Sequence, residues 1–216
     1  MPKTPSEEQI ANVIARPFDE SLVVKDPYAQ FAQWYDEAGK LSRQPLANAM
    51  TLATADRAGI PTARIVLLKQ FDQAGFVFFT NYRSRKGAEL DENPRAGLLF
   101  YWGDLERQIR IDGTIEKVTR AENEEYFATR ARRSQIGAHA SAQSMPLQSR
   151  TDLEQKVKQL EAQFHGKDVP CPPQWGGYRV KPLWFEFWQG RESRLHDRII
   201  YKRVKGEIWK IERLAP

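Results

Sequence analysis

Met50-Thr51-Leu52-Ala53-Thr54-Ala55, Ala63-Arg64-Ile65-Val66-Leu67-Leu68-Lys69 and Phe76-Val77-Phe78-Phe79-Thr80 are the runs that decide the fold. Their extended, largely apolar pattern is that of strands. The connecting segments, Asp56-Arg57-Ala58-Gly59 and Asp72-Gln73-Ala74-Gly75, put Asp and Gly at turn positions, which predicts a three-stranded antiparallel meander.

Outward from this block, apolar residues at Tyr28, Phe31, Trp34 and Tyr35 have helical spacing over 26–40, with Asp26 and Pro27 as cap and first residue. Ser84 caps a short helix to about Asp91, and Asn93-Pro94 stops it. Strands follow at 96–102 and 108–118. Helices at 120–130 and 152–164 flank a polar loop with Ser134, Gln135, Gly137, Gln143 and Ser144, and the chain closes on strands at 184–188, 199–203 and 208–211. Many short strands with late helices indicate a mainly β protein, a β-barrel of six or more antiparallel strands with peripheral helices.

The 216 residues fit one domain, residues 26–216, after a polar, flexible segment over 1–25. The 41% hydrophobic content is enough for a packed core, but no run is long and apolar enough to cross a bilayer. Cys171 has no partner for an internal disulfide, and the start lacks a secretory pattern, so the cytoplasm is expected. The net charge of +5 suits nucleic acid, an anionic surface or phosphorylated small molecules, and the placement of the basic residues has to decide.

Two basic clusters stand out. Thr80-Asn81-Tyr82-Arg83-Ser84-Arg85-Lys86-Gly87 gathers basic side chains and hydroxyls at a helix start, where free amides and the helix dipole favour an anion such as phosphate. Arg194-Leu195-His196-Asp197-Arg198, read as a strand, would turn Arg194, His196 and Arg198 to one face, a set expensive to bury without an anionic or aromatic partner. His139, His165 and His196 have no metal-ligand spacing, and no metal site is expected.

At these residues the chain resembles the pyridoxine/pyridoxamine 5′-phosphate oxidase family. The blocks that carry the likeness are the 64–69 strand, Ser84-Arg85-Lys86, Ser134-Gln135-Ile136-Gly137-Ala138, Gln143-Ser144, Trp175-Gly176-Gly177, Glu186-Phe187-Trp188 and Arg194-Leu195-His196-Asp197-Arg198, from about Asp26 to the closing Arg213-Leu214-Ala215-Pro216. The resemblance implies an FMN-binding split β-barrel, a homodimer with FMN at the subunit interface, and oxidation of pyridoxine 5′-phosphate or pyridoxamine 5′-phosphate with O2. Nucleic acid and membrane are not expected as partners.

It also implies roles residue by residue. Arg64, Arg85 and Lys86 take the flavin phosphate, with Thr80 and Ser144. Ile65, Val66, Leu67, Leu68, Lys69 and Phe79 complete the strand side of the flavin site. Gln108, Gln143, Trp188 and Arg198 flank the ring or meet its polar edge. Lys69, Tyr126, Arg130 and Ser134 hold the substrate phosphate, while Arg194, Leu195 and His196 contact its ring, Arg194 and His196 as the catalytic pair. A proton-acceptor role for His196 stays open. Two phosphates, each of charge about −1.5 to −2, need two basic clusters.

The chain departs from the family pattern in lacking an Arg-Arg-Glu-Tyr block within 1–25 and in placing Leu46 where an acidic residue is common. The rival expectations are an oxidase of the same fold acting on another aromatic substrate, of the phenazine-biosynthesis type; a flavin- or pyridoxal phosphate-binding protein without turnover; and a nucleic-acid-binding barrel.

Overall fold

The computed structural model describes residues 5–206 and 208–216. The elements in order are helix α1 (Glu7–Ala15), α2 (Pro27–Leu41), strands β1 (Ala49–Ala55), β2 (Pro61–Leu67), β3 (Gln70–Asp72) and β4 (Gly75–Asn81), α3 (Arg85–Glu92), β5 (Arg95–Trp102), β6 (Arg107–Lys117), α4 (Arg120–Ala128), α5 (Arg132–Ala140), α6 (Arg150–Gln163), β7 (Trp175–Gln189), β8 (Asp197–Lys205) and β9 (Ile208–Arg213). All nine strands join one antiparallel sheet ordered β2-β1-β5-β6-β7-β4-β3, with β8 also paired to β7 and β9 to β8. This is the expected barrel-like sheet with peripheral helices.

The meander is only half right. β1 and β2 form the predicted hairpin, its turn closed by the Gly59 amide on the Asp56 carbonyl and the Ile60 amide on Asp56 Oδ1. β4 does not pair with β2; it pairs with β3 and β7, and the 72–75 turn belongs to the β3–β4 hairpin. The chain changes partners between two residues. The Leu68 amide donates to Asn48, beyond β1, and the Lys69 amide donates to Val77 of β4. That break lets the two ends of the sheet path, β2 and β3, be contiguous in sequence, and it leaves Lys69 at the bend.

The sheet curls because β6 and β7 are long and lose register at Asp112/Gly113. A Cβ on Gly113 would stand 2.3 Å from the Lys181 carbonyl oxygen, so only glycine permits this approach. α2, capped by Asp26 on the Tyr28 amide and opened by Pro27, packs against the inner face. Its Phe31 is fully buried, with ring centroids 4.8 to 5.1 Å from Phe76, Phe71 and Phe100. Phe78, Phe185, Phe187 and Tyr201 continue this core. A second cluster, Phe127, Ile136, Val169, Cys171 and Trp175, anchors α4 and α5 beside the barrel.

Three further expectations are corrected. The polar loop between the two late helices contains α5, so Ser134, Gln135 and Gly137 are helical; its short run of small and polar residues hides the period, and Ile136 and Ala140 supply the buried stripe. The 194–198 strand starts only at Asp197. Residues Glu192–Arg194 form a 3-10 turn, with Ser193 and Arg194 at φ 54° and 61°, so simple alternation does not apply there. Within the segment expected to be flexible, Ser6 and Gln9 form a capping box on α1, and Ile10 and Val13 are buried. Residues 1–4 of that segment lie outside the described residues.

Candidate functional site

A cavity of about 690 Å³ opens between the 66–69 bend, the end of β4, α3 and the helical pair α4 and α5. The elements bring basic side chains to it from opposite directions, Lys69 and Lys86 from one side and Arg130 from the other. From the barrel side come Val66, Leu67, Lys69, Phe79, Thr80 and Lys86; from the helical side come Tyr126, Arg130 and Ser134; Gln143 and Trp175 close it.

Lys86 is delivered by the N-cap of α3, where the Ser84 hydroxyl accepts from the Gly87 amide. Its Nζ donates to Gln143 Oε1 at 2.8 Å, Thr80 Oγ1 at 3.1 Å and Ser84 Oγ at 3.2 Å. Burial and then the nearby Arg64 charge push its ammonium below the usual lysine range, with Glu89 opposing. Every acceptor around it except Glu89 is neutral, so an anion entering here meets a cation that is hydrogen-bonded but not charge-compensated.

Arg64 and Arg85, expected beside Lys86 on a phosphate, do not line the cavity. Both point to Glu89: Arg64 Nη2 lies 3.2 Å from its Oε2 and Arg85 Nε 2.9 Å from its Oε1. Glu89 is only 6% exposed and also accepts from the hydroxyls of Thr54 and Thr62. Burial pushes its carboxyl up, but the two hydroxyls and then Arg85 and Arg64 outweigh it and hold it at about 2. Sequence reading missed Glu89; its place four residues after Arg85 on a predicted helix was the available signal.

Lys69, Tyr126, Arg130 and Ser134 do come together on the cavity wall. The Arg130 guanidinium lies over Trp175, 4.7 Å from the ring centroid, and 5.5 Å from that of Phe127. Burial lowers its pKa from the ordinary arginine value. Its Nη1 is a buried nitrogen with no hydrogen-bond partner among the described residues. Buried donors are normally paired, so this one calls for an acceptor supplied from outside. Ser134 projects from the first turn of α5, where backbone amides add to the pull on an anion.

The aromatic floor is a stack. Phe79 sits 4.0 Å from Tyr126 and 5.2 Å from Trp175, centroid to centroid, nearly parallel to both. Trp175 was read only as part of a motif, and the structure makes it the support of Arg130. Its neighbour Gly176 leaves no room for a side chain, since a Cβ there would meet the Tyr82 hydroxyl at 2.1 Å.

The remaining predicted residues lie elsewhere. Ile65 and Leu195 are exposed, Leu68 is buried in the core, and Ser144 is an exposed residue with φ 72°. Gln108, Trp188 and Arg198 face each other directly across β6, β7 and β8 and therefore share one face of the sheet. His196 leans on Trp188 at 4.6 Å between centroids. Arg198 Nε is 2.5 Å from Oε1 of the buried Glu186, whose other oxygen receives Arg110 at 3.2 Å. Arg194 is exposed. None of these six residues, Gln108, Trp188, Arg194, Leu195, His196 or Arg198, lines the cavity, so the predicted site residues fall into two separate groups in the chain.

A family model described as pyridoxamine 5′-phosphate oxidase matches residues 41–164, and one described as the pyridoxine 5′-phosphate oxidase C-terminal dimerisation region matches residues 175–216. The pyridoxine/pyridoxamine 5′-phosphate oxidases of Bordetella pertussis and Burkholderia thailandensis are 55% and 56% identical to the chain, covering 91% and 92% of it and 92% of each relative. Among solved structures, PhzG from Burkholderia lata 383, in complex with tetrahydrophenazine-1-carboxylic acid, superposes with a TM-score of 0.86 at 33% identity, covering 94% of this chain and 98% of that one. An FMN-binding, pyridoxamine 5′-phosphate oxidase-related protein from Nostoc punctiforme shares the fold, with a TM-score of 0.69 at 16% identity over 87% of this chain and 96% of its own.

Proposed function

The chain belongs to the pyridoxamine 5′-phosphate oxidase family, and on that premise we propose that it oxidises pyridoxine 5′-phosphate or pyridoxamine 5′-phosphate to pyridoxal 5′-phosphate with FMN as cofactor. The observation that carries this reading is Arg130. Its buried, unpartnered Nη1 stands with Lys69 and Ser134 in one cavity, while Lys86 with Thr80 forms a second basic position in the same space. Two phosphates fit two such positions, and an isolated phosphate site would need only one.

FMN fits the donor set present. Lys86, Thr80 and the α3 amides suit its phosphate, Val66 and Leu67 offer apolar strand surface, and Gln143 offers an amide that can both donate and accept. Arg64 and Arg85 would join the phosphate from their Glu89 anchor. When bound, FMN supplies the acceptor for a hydride from the substrate C4′ carbon and passes the electrons to O2, giving H2O2. The work of the chain is placement. Lys69, Tyr126, Arg130 and Ser134 hold the substrate phosphate, and Arg194 with His196 orients the ring. Fixing a reacting pair near contact can lower a barrier by about 7 to 11 kcal/mol in favourable intramolecular models.

The second group supports a homodimer in which Gln108, Trp188, Arg194, Leu195, His196 and Arg198 of one chain complete the cavity of the other. Two of these six residues, Trp188 and Arg198, lie on strands of the matched dimerisation region and three, Arg194, Leu195 and His196, in the loop between them, with Gln108 on adjoining β6. A cytoplasmic location belongs to the same reading. No helix among the described residues is long and apolar enough to cross a membrane.

The likeness to PhzG favours one alternative, a flavin oxidase of this fold acting on another aromatic substrate. One experiment separates them: purify the protein, record its visible spectrum, add pyridoxamine 5′-phosphate in air, and follow aldehyde and peroxide. A yellow protein that releases both is the expected result. A yellow protein that leaves the phosphorylated substrate untouched would favour the alternative, and a colourless one that takes up no FMN would end both.

A further inference from the structure

Arg191 joins the loop that carries Arg194 and His196 to the N-terminal part of the chain. Its guanidinium serves three acceptors at once: Nε donates to Asp197 Oδ2 at 2.6 Å, Nη2 to the Arg16 carbonyl at 2.7 Å, and Nη1 to the Ile14 carbonyl. Both carbonyls lie at the C-terminal end of α1, where a helix leaves acceptors unpaired and favours a cation. Asp197 is gripped from its other side by Arg213 Nη1 at 2.7 Å, and Arg213 reaches back to Glu20 Oε2 at 3.0 Å and the Phe18 carbonyl at 3.2 Å. Residues 14–20 are thus tied to both ends of the 191–197 loop.

The backbone of Arg191 does something more specific. Its amide donates to His196 Nδ1 at 3.1 Å, while the imidazole leans on Trp188. A ring nitrogen that accepts an amide proton must keep its lone pair, so the neutral ring carries its proton on Nε2. The same loop holds Ser193 and Arg194 in the left-handed region, a conformation that non-glycine residues keep only under restraint from surrounding contacts.

We propose that Arg191 is a positioning residue of the oxidase reaction: anchored on the end of α1 and on Asp197, it presents His196 to the substrate as an Nε2–H donor. In that tautomer a neutral His196 gives a hydrogen bond to the substrate and takes no proton from it. The role rests on the reading above that His196 meets the substrate.

The test uses the FMN-loaded enzyme and Arg191→Gln, with steady-state kinetics on pyridoxine 5′-phosphate, flavin content by absorbance, and nitrogen-15 NMR of labelled histidine. In the wild type, His196 is expected as the Nε2–H tautomer. In Arg191→Gln, kcat/KM falls roughly tenfold to a hundredfold, as loss of reactant alignment does, flavin content is unchanged, and the His196 signals move toward a tautomer mixture. Arg191→Lys, which keeps a donor for Asp197, shows an intermediate loss and serves as the comparison if the Gln variant does not fold. An Nδ1–H ring in the wild type, full kcat/KM in both variants, or an equal loss with His196 signals unmoved would each overturn the proposal. Silence of His196→Ala in turnover would instead remove the underlying assignment, whatever Arg191 does.

Discussion

Lys86 Nζ and Gln143 Oε1 lie 2.8 Å apart, and through that bond the first turn of α3 is joined to the segment after α5. Neither residue has a carboxylate at this contact, so the bond closes the cavity without cancelling the lysine charge.

Lys86→Met should therefore weaken FMN binding by about tenfold to a hundredfold, the worth of a charge-assisted hydrogen bond of about 1.5 to 3 kcal/mol. Titration of the flavin-free protein with FMN, followed by flavin fluorescence, reads it. Unchanged affinity would remove Lys86 from the phosphate site.

Arg130→Met keeps most of the stack on Trp175 and removes the unpartnered donor. KM for the phosphorylated substrate should rise by about tenfold or more, with FMN affinity unaltered. A rise in the FMN dissociation constant with KM unchanged would show that Arg130 serves the other phosphate.

His196→Ala should lower turnover while the protein stays yellow, because His196 packs against Trp188 and outside the cavity that holds Lys86. Comparing kcat per bound flavin in the variant and the wild type decides it. Loss of flavin with full turnover on reconstitution would contradict the placement.

Glu89 makes a pH prediction. Its folded pKa of about 2 lies below the ordinary 4.5, so its stabilisation is complete above pH about 4.5 and drains away as pH falls toward 2. The shift corresponds to a contribution of about 3 kcal/mol at most. Glu89→Gln should be less stable than wild type at pH 7, and the gap should narrow on acidification. Parallel urea unfolding curves from pH 7 to pH 3 check this, and a constant gap would refute it.

Gly176→Ala places a methyl against the Tyr82 hydroxyl and Asn123 Nδ2, at 2.1 and 2.6 Å. Those groups bond each other and the Gly177 backbone, so the strain spreads to the support of Trp175. Overpacking of this kind costs about 1 to 3 kcal/mol. Thermal unfolding should show it, and a variant as stable as wild type would mean the loop gives way freely.

The sequence by itself determined the element types with strong local signals. Asp26-Pro27 opened α2, Ser84 capped α3, and Asp and Gly closed the β1–β2 turn, since caps and turns are built from adjacent residues. It also brought out the two basic clusters and the motifs of the family. What it could not specify was which strands pair: β4 beside β7 and the switch at Leu68/Lys69 are contacts between residues far apart in the chain or set by a bend, and alternation along each strand is the same for any neighbour. Helix α5 was hidden for a related reason, its buried stripe being two residues whose partners come from other elements. Only the tertiary structure decided that Arg64 and Arg85 end on Glu89 while Lys86 faces the cavity, and that Arg194 and His196 stand apart from it. Charge can be counted along a sequence, but where it acts depends on which carboxylate or helix end folding brings within bonding distance.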